Sequence, residues 1–471
     1  MKIKSILLIS VLFSSIYPAT GGLGENLPLY SILPFLGILL SIAIIPLLAP
    51  IFWHHNFGKI SAFWALSLVI PSLFLLGLHE TFHQLIHVLL LEYLPFIILL
   101  LSLFTISGGI RLKGTLVGTP LINTLLIFIG TALASWMGTT GAAMVLIRPI
   151  LRANKYRHYN VHTVIFFIIL VANIGGSLTP LGDPPLFLGF LNGIDFFWTT
   201  KIMFLPMICA SFMLLIAYFI VDSYFYKKEK HIVTKLANEE KIAVDGKINI
   251  ILILGVIISV LLSGFWKPDF SIPEIFGIQL EFQNITRDIL LLILAILSWV
   301  YTSDRIRDEN GYTWFPILEV AKLFAGIFIT IIPAIIILKT GTKGKLNFLI
   351  EMLNTSDGQP INTMYFWLTG LLSSILDNAP TYLVFFNIAG INDSNIPIPD
   401  YLMHVIPDTL FAISMGAVFM GALTYIGNAP NFMVKSIAEE NNISMPSFFG
   451  YILWSLIILI PVFIIINIIF L

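Results

Sequence analysis

The sequence predicts an all-α polytopic membrane protein, and three observations support this fold class. Of its 471 residues, 58% are hydrophobic and only 11% are charged, with a mean hydropathy of +0.95. Soluble domains carry about 25% charged residues. Ten apolar stretches are long enough to span a bilayer. Finally, the pattern Gly-x-Leu-Thr-x-x-Gly-x-x-Pro interrupts two of those stretches, at 176–185 and at 421–430.

The ten stretches share the length and apolar character of transmembrane helices. They cover 30–52, 60–78, 93–109, 161–199, 203–226, 248–264, 288–302, 316–338, 405–437 and 448–470. Two further stretches, 115–151 and 362–390, are apolar with a polar, Gly- or Pro-bearing centre.

The N-terminus is assigned to a signal peptide or to a retained N-terminal anchor, over residues 1–22. Lys2 and Lys4 precede a short apolar run at 6–13, which cannot span a bilayer. Tyr17 stands where a signal-peptide cleavage site favours a small residue. Both alternatives therefore stay open.

Composition also excludes some classes of function. A formal net charge of -1 gives no electrostatic basis for a nucleic-acid partner. Cys209 is the only cysteine, so an intramolecular disulfide is excluded.

The placement of basic residues predicts how the two polar-centred stretches enter the membrane. Arg111 and Lys113 precede 115–151, while Arg148 lies near its end and Arg152 follows it, which puts both of its ends in the cytoplasm. The stretch is then a re-entrant hairpin, and 362–390 enters from the opposite face. This predicts two inverted-topology repeats. They are 23–226 and 248–471, joined by a charged cytoplasmic linker, 227–247.

The paired interruptions predict a transport site near the bilayer midplane. Lipid offers no partners to a broken helix, and matching breaks in two halves indicate a transporter site. A broken helix exposes carbonyls that suit a cation and N–H groups that suit an anion. Hard oxygen ligands suit Na⁺. The candidate ligands are Thr139, Thr140, Thr179, Asp183, Asp377, Asn378, Thr424 and Asn428.

Asp183 and Asp377 are the leading candidates among these residues. An ionisable side chain at membrane depth indicates a functional site. Exclusion of water favours the protonated form of a carboxyl group, so each aspartate could exchange H⁺ for Na⁺. The alternative is that each aspartate only caps a half-helix, as Asp183 before Pro184-Pro185 would. No Lys or Arg occurs in the breaks or hairpin centres.

Three further residues could support the site. Glu319 and Lys322 are spaced i,i+3 and could pair on one helix face, or lie at the membrane interface as a snorkelling pair. Asn173, one turn before the first break, could line the cavity or bond across helices.

One motif indicates a different class of protein. His79-Glu80-Thr81-Phe82-His83 matches the H-E-x-x-H signature of zinc metalloproteases, and His87 extends the same face. An intramembrane zinc protease is therefore the remote alternative. The stretch 79–92 lacks Lys and Arg, which also fits a periplasmic interfacial helix.

From about residue 28 to its C-terminus, the chain resembles the ion transporter superfamily. Asn173-Ile174-Gly175-Gly176, Asp183-Pro184-Pro185 and Leu376-Asp377-Asn378-Ala379-Pro380-Thr381 carry the resemblance, together with 319–322. It is similar to the citrate-transporter-like group labelled sodium:proton antiporters, related to arsenite permeases. The resemblance implies inverted repeats, paired re-entrant hairpins, an elevator-like motion and a homodimer. It adds these residues to the candidate site: Gly141, Gly182, Thr381 and Gly427.

These inferences lead to one main prediction and one alternative. The chain lacks the Ser-Asn-Thr hairpin tip of the dicarboxylate branch, which favours cation exchange. We therefore expect a Na⁺/H⁺ antiporter of the bacterial inner membrane, with no enzymatic activity and no cofactor beyond the transported Na⁺ and H⁺. The alternative is Na⁺-coupled transport of citrate, another carboxylate or another anion. The expected partners are membrane lipid and these small ions or anions, with no nucleic acid.

Overall fold

The computed structural model describes residues 24, 27–229, 240–268, 272, 274–341, 344–391 and 396–471. These residues contain ten helices long and apolar enough to cross a membrane, or up to 11 if each bent pair is one span. The predicted all-α polytopic membrane fold is thereby confirmed. The proposed signal peptide or anchor lies outside the described residues, as does 230–239 of the linker.

Three long helical segments open the first half of the chain. Helix α1 follows a 3₁₀ turn, Leu29–Ile32, and a π turn, Leu89–Tyr93, joins α3 to α4. The helices are α1 (Leu33–Leu48), α2 (Pro50–Leu75), α3 (Gly77–Val88) and α4 (Leu94–Ser107). The stretch predicted as an interfacial helix thus continues into the third span, giving one 31-residue segment, Gly77–Ser107.

A helical hairpin and an interrupted span follow. The hairpin consists of α5 (Pro120–Met137) and α6 (Thr139–Ala153), with Gly138 alone between them. The interrupted span consists of α7 (Val161–Leu170), a 3₁₀ turn (Ile174–Leu178) and α8 (Pro184–Leu191). Helix α9 (Phe196–Lys228) closes this half.

The second half repeats this order of elements. Its first helices are α10 (Ile248–Phe265), α11 (Phe282–Tyr301), α12 (Asp304–Glu309), α13 (Phe315–Thr330), α14 (Ile332–Lys339) and α15 (Asn347–Leu353). The hairpin is α16 (Asn362–Leu376) and α17 (Asn378–Ala389). The remaining elements are α18 (Ile398–His404), α19 (Pro407–Met420), a 3₁₀ turn (Gly421–Leu423), α20 (Ala429–Glu440) and α21 (Phe448–Phe470).

A short β-ribbon joins the end of the linker to the first half. Strand β1 (Arg111–Lys113) pairs antiparallel with β2 (Ala243–Asp245), and Arg111 lies opposite Asp245. The sequence analysis did not predict this ribbon, nor the short helices α12, α15 and α18. Each has only three to seven residues, too few for a periodic pattern to identify.

The interrupted span forms the centre of the molecule. Of the segment Val161–Leu178, 89% is buried, whereas the next most buried candidate span, Phe315–Leu338, is 56% buried. A helix that is apolar all round belongs inside a protein, shielded from lipid by its neighbours. The break in this span is therefore surrounded by protein on all sides.

Candidate ion and substrate site

The two breaks adopt the same local structure. Thr179 has φ −137° and ψ 160°, and Thr424 has φ −136° and ψ 166°. The Thr179 hydroxyl donates to the Ser135 carbonyl oxygen of the first hairpin. The Thr424 hydroxyl donates in the same way to the Ser374 carbonyl of the second hairpin, at 2.5 Å. The repeated threonine therefore ties each break to the hairpin of its own half.

The repeated glycines mark close backbone approaches. A Cβ on Gly182 would collide with the Gly176 carbonyl oxygen, and one on Gly427 would lie 2.6 Å from the Gly421 carbonyl oxygen. Only glycine fits where two backbone segments meet this closely. Together with the threonine bond, these close approaches explain three of the five identities between the two copies: the two glycines and the threonine.

The two hairpin tips share an unusual backbone conformation. Gly138 has φ 80° and ψ 148°, and Asp377 has φ 79° and ψ 145°. This region is almost exclusive to glycine, and a non-glycine residue there is strained. The half-buried Asp377 accepts a hydrogen bond from the Ala379 N–H at 3.2 Å, so it does cap α17.

Asp183 lies at the centre of the site and is 2% exposed. Its Oδ1 accepts from the Thr139 hydroxyl at 3.1 Å and from the Asn428 amide at 2.9 Å. Its Oδ2 accepts from the Asn378 amide at 2.5 Å. Although Asp183 occupies the N-cap position of α8, its side chain makes no capping hydrogen bond. The carboxyl group binds both hairpin tips and the second break, so capping alone does not account for it.

Four helix N-termini converge on this carboxyl group. Helices α6 and α17 begin at Thr139 and Asn378, while Asp183 and Asn428 are the N-cap residues of α8 and α20. Helix N-termini carry partial positive charge, so they attract anions. In α8 only this dipole contributes, because Pro184 and Pro185 have no N–H group. The arrangement therefore favours negative charge without any Lys or Arg in the hairpin tips or breaks.

Two buried amide oxygens near the site have no hydrogen-bond partner among the described residues. They belong to Asn378 and Asn173, both fully buried. Buried polar atoms are nearly always satisfied, by protein, by water or by an ion. An amide oxygen is also a hard-cation ligand. Asn378 thus presents an NH₂ group to Asp183 and a free acceptor for a cation.

Asn173 forms the bond across helices that was one of its two predicted roles. Its Nδ2 donates to the Asn431 Oδ1 at 2.7 Å and to the Ile168 carbonyl at 2.8 Å. Asn431 in turn donates to the Gly421 and Thr424 carbonyls, at 2.8 and 2.9 Å. The sequence analysis missed Asn431, because the first repeat has Leu186 at the matching place.

The other candidate residues lie around this centre. Thr140 is half-buried, and Gly141 is buried against Ser107. The Thr381 hydroxyl donates to the Asp377 carbonyl at 2.8 Å, within its own helix turn. None of these three contacts Asp183 in the described hydrogen bonds.

Glu319 and Lys322 lie elsewhere, at the contact between α13 and α2. Glu319 accepts from the Trp53 indole N–H at 3.0 Å, and the Lys322 ammonium lies 5.4 Å from the Phe57 ring centroid. In the part of the chain that the structure describes, they form no ion pair with each other. The pairing, one of the two predicted alternatives, is therefore not seen, because side chains of α2 contact each group separately.

The H-E-x-x-H motif lies on α3. Glu80 accepts from Gln84 at 2.9 Å, and the His83 and His87 rings are 6.5 Å apart. Across the described ranges, no group of three or more His, Cys, Asp or Glu side chains could hold a metal ion. A catalytic zinc needs three protein ligands.

Comparison with known proteins identifies the family. The chain matches the family described as "Putative citrate transport" over residues 24–471. No curated protein matches the chain. The match bears out the resemblance to a citrate-transporter-like group and, with the ten apolar helices, a multi-pass membrane protein. It does not extend to the sodium:proton antiporter label, which stays a prediction. The chain belongs to the citrate-transport family described above and is a membrane transport protein.

Proposed function

We propose that this protein is a secondary active transporter that carries a citrate-like carboxylate or a similar small anion together with Na⁺. One observation carries the proposal: four helix N-termini and three side-chain donors converge on one buried carboxyl group. Such a cluster of donors is suited to a carboxylate. The family description supports the same substrate class.

The role of Asp183 follows from this geometry. While ionised, Asp183 takes up the hydrogen-bond donors that a substrate carboxylate would need. A Na⁺ bound by Asp183 and the free Asn378 oxygen neutralises the group and weakens its hold on those donors. The Thr139 hydroxyl and the Asn428 amide then bind the substrate instead. Cation binding and anion binding are thereby coupled at one residue.

Na⁺/H⁺ antiport is the second candidate, supported by a specific observation. The hairpin tips and breaks contain the carboxyl groups of Asp183 and Asp377 and no Lys or Arg. Two carboxyl groups without a basic side chain beside them could bind Na⁺ and H⁺ in competition. In this candidate, the converging donors hold Asp183 itself rather than a transported anion.

The transport motion and its setting belong to the same proposal. Matching φ and ψ values at both breaks and both tips support two structural repeats, inverted in the membrane. An elevator-like motion would then move the hairpins and interrupted spans past the remaining helices. We also propose a homodimer in the bacterial inner membrane.

Transport by purified protein in proteoliposomes tests both candidates. We expect labelled citrate uptake that requires an inward Na⁺ gradient, and we expect Asp183→Asn to lose this Na⁺-driven accumulation of citrate. Asp357→Asn, which makes the same change at an exposed loop residue, is the matched control. A Na⁺-driven pH change without citrate uptake would instead support antiport. Neither activity, in protein that is folded and inserted, would refute both.

A further inference from the structure

A cavity of about 280 Å³ lies on the face that we assign to the cytoplasm, outside the transport site. It is lined by Arg111, Lys113, Glu240, Lys241 and Arg305. Helix α6 has 15 residues, or ~22 Å at 1.5 Å per residue. One end of α6 is at the hairpin tip, and the other reaches the ribbon beside this cavity. The cavity is therefore a separate place in the fold.

Ion pairs hold most of the basic side chains of this cavity in position. Lys113 pairs with Asp245 at 2.8 Å, Arg305 pairs with Glu309 at 2.8 Å, and Arg111 contacts the same two acids. The hydrogen bond from Lys113 lowers the pKa of Asp245. The hydrogen bond from Arg305 likewise lowers the pKa of Glu309, so both acids stay ionised at neutral pH.

The cavity nevertheless keeps an excess of positive charge. Arg152, whose guanidinium donates to the Leu112 carbonyl of the ribbon at 2.6 Å, is a fifth basic group beside the four that line the cavity. Against these five stand three acids, Glu240, Asp245 and Glu309, which leaves two positive charges in excess. The exposed Lys241 forms no ion pair within the described ranges.

We propose that this cavity binds a phosphate group. A phosphate monoester carries about −1.5 to −2 charges at neutral pH, which matches the excess. Guanidinium groups donate to phosphate oxygens in pairs, and an ammonium group adds a point charge. Pockets for whole drug-sized molecules start near ~300 Å³, so the cavity suits a headgroup-sized ligand. The chemistry fits a free phosphate, and it also fits an anionic lipid headgroup, whose phosphodiester carries a single negative charge.

The position of the cavity links its occupancy to the first hairpin. Arg111 follows α4 by four residues, and Arg305 follows α11 by four. The Cα atoms of Arg111 and Arg305 therefore lie within about 14 Å of the ends of α4 and α11. A phosphate bound there contacts β1, the end of the linker and α12 at once. Because Arg152 of α6 bonds to β1, the ligand would restrain the base of the hairpin.

Two binding experiments on the full chain test the site and distinguish a free phosphate from a lipid headgroup as its ligand. In nanodiscs of phosphatidylcholine alone, inorganic phosphate is titrated by calorimetry. In the second experiment, delipidated protein is offered vesicles containing phosphatidylglycerol, and retained lipid is counted by native mass spectrometry. We expect saturable binding in at least one. Binding of inorganic phosphate in the first experiment would identify a soluble phosphate as the ligand. Retention of phosphatidylglycerol without phosphate binding would identify a lipid headgroup.

Variants decide whether the binding belongs to this cavity. Lys241→Gln removes a charge without breaking an ion pair among the described residues, and we expect it to weaken binding at least about tenfold. Arg305→Gln should weaken binding further. Lys155→Gln, at an exposed lysine outside the cavity, is the control and should bind like the native protein. No saturable binding in either experiment, or equal binding by Lys241→Gln and the control, would overturn the proposal.

Discussion

At the level of single residues, the Asp183 carboxyl group satisfies three buried donors from three separate elements. They are the hydroxyl of Thr139 and the amides of Asn378 and Asn428. A buried donor left without a partner costs about 1–3 kcal/mol. Asp183 therefore contributes to stability as well as to the proposed transport, and experiments must separate the two effects.

Replacing Asp183 by alanine should lower the free energy of unfolding by about 3 kcal/mol or more, because three donors lose their acceptor. Asn keeps one acceptor oxygen and should lose less. Unfolding in detergent, followed by tryptophan fluorescence, measures both variants. Asp357→Ala, at an exposed turn, should stay within about 0.5 kcal/mol of the native protein. Equal stability of Asp183→Ala and this control would contradict the hydrogen-bond network.

The Asn173–Asn431 bond should show measurable coupling between the two halves. Both side chains are fully buried, and their bond of 2.7 Å connects residues 258 positions apart. Residues in such contact have coupling energies of about 0.5–3 kcal/mol. A double-mutant cycle with Asn173→Ala and Asn431→Ala measures this energy from unfolding. Additive losses would show that the two amides act independently.

At the level of elements, the strained tip of the second hairpin allows a test that separates structure from function. Asp377→Gly should keep or raise stability, because glycine relieves a backbone strain of about 1–3 kcal/mol. Gly138 already has this conformation in the first hairpin. If the Asp377 carboxyl group takes part in transport, uptake should fall although the fold is intact. Uptake at the native rate would assign Asp377 to capping alone.

A buried charge cluster connects α9 to α7 and to the loop that follows the first hairpin. Asp222 bonds to Arg157 at 2.7 Å and to His162 at 2.8 Å, and it is fully buried. Asp222→Leu should cost about 3 kcal/mol, because His162 loses its acceptor and Arg157, only 7% exposed, keeps Glu229 as its one acid partner among the described residues. Adding Arg157→Leu should recover part of this loss in a thermal unfolding experiment. No recovery would show that the ion pair is not the cause.

The sequence predicts the breaks and the hairpins because local amino-acid composition determines where they form. Gly, Pro and small polar residues inside apolar runs indicate both breaks and both hairpins, because a helix that faces lipid does not tolerate such interruptions. The β-ribbon was not predicted, because strands of three residues are too short for an alternating pattern to identify them. The three partners of Asp183 are candidate site residues in the sequence analysis. Their convergence on that one carboxyl group depends on tertiary packing between residues 44, 195 and 245 positions apart.

For the whole molecule, the site is shared between the two halves. Asn378 and Asn428 of the second half bind Asp183 of the first, and Asn173 binds Asn431. All five side chains are buried. A transport motion that separated the halves at this point would break every one of these bonds. We therefore expect both hairpins and both interrupted spans to move together, as an elevator-like mechanism requires.

The most direct test of coupling at Asp183 is the affinity for citrate measured at increasing Na⁺ concentration. If Na⁺ neutralises Asp183 and frees its donors, citrate should bind more tightly as Na⁺ rises, and Na⁺ more tightly as citrate rises. Asp183→Asn, already neutral, should bind citrate with little dependence on Na⁺. The coupling at Asp183 would be contradicted if the citrate affinity of the native protein did not change with Na⁺ concentration. It would also be contradicted if Asp183→Asn showed the same dependence on Na⁺ as the native protein.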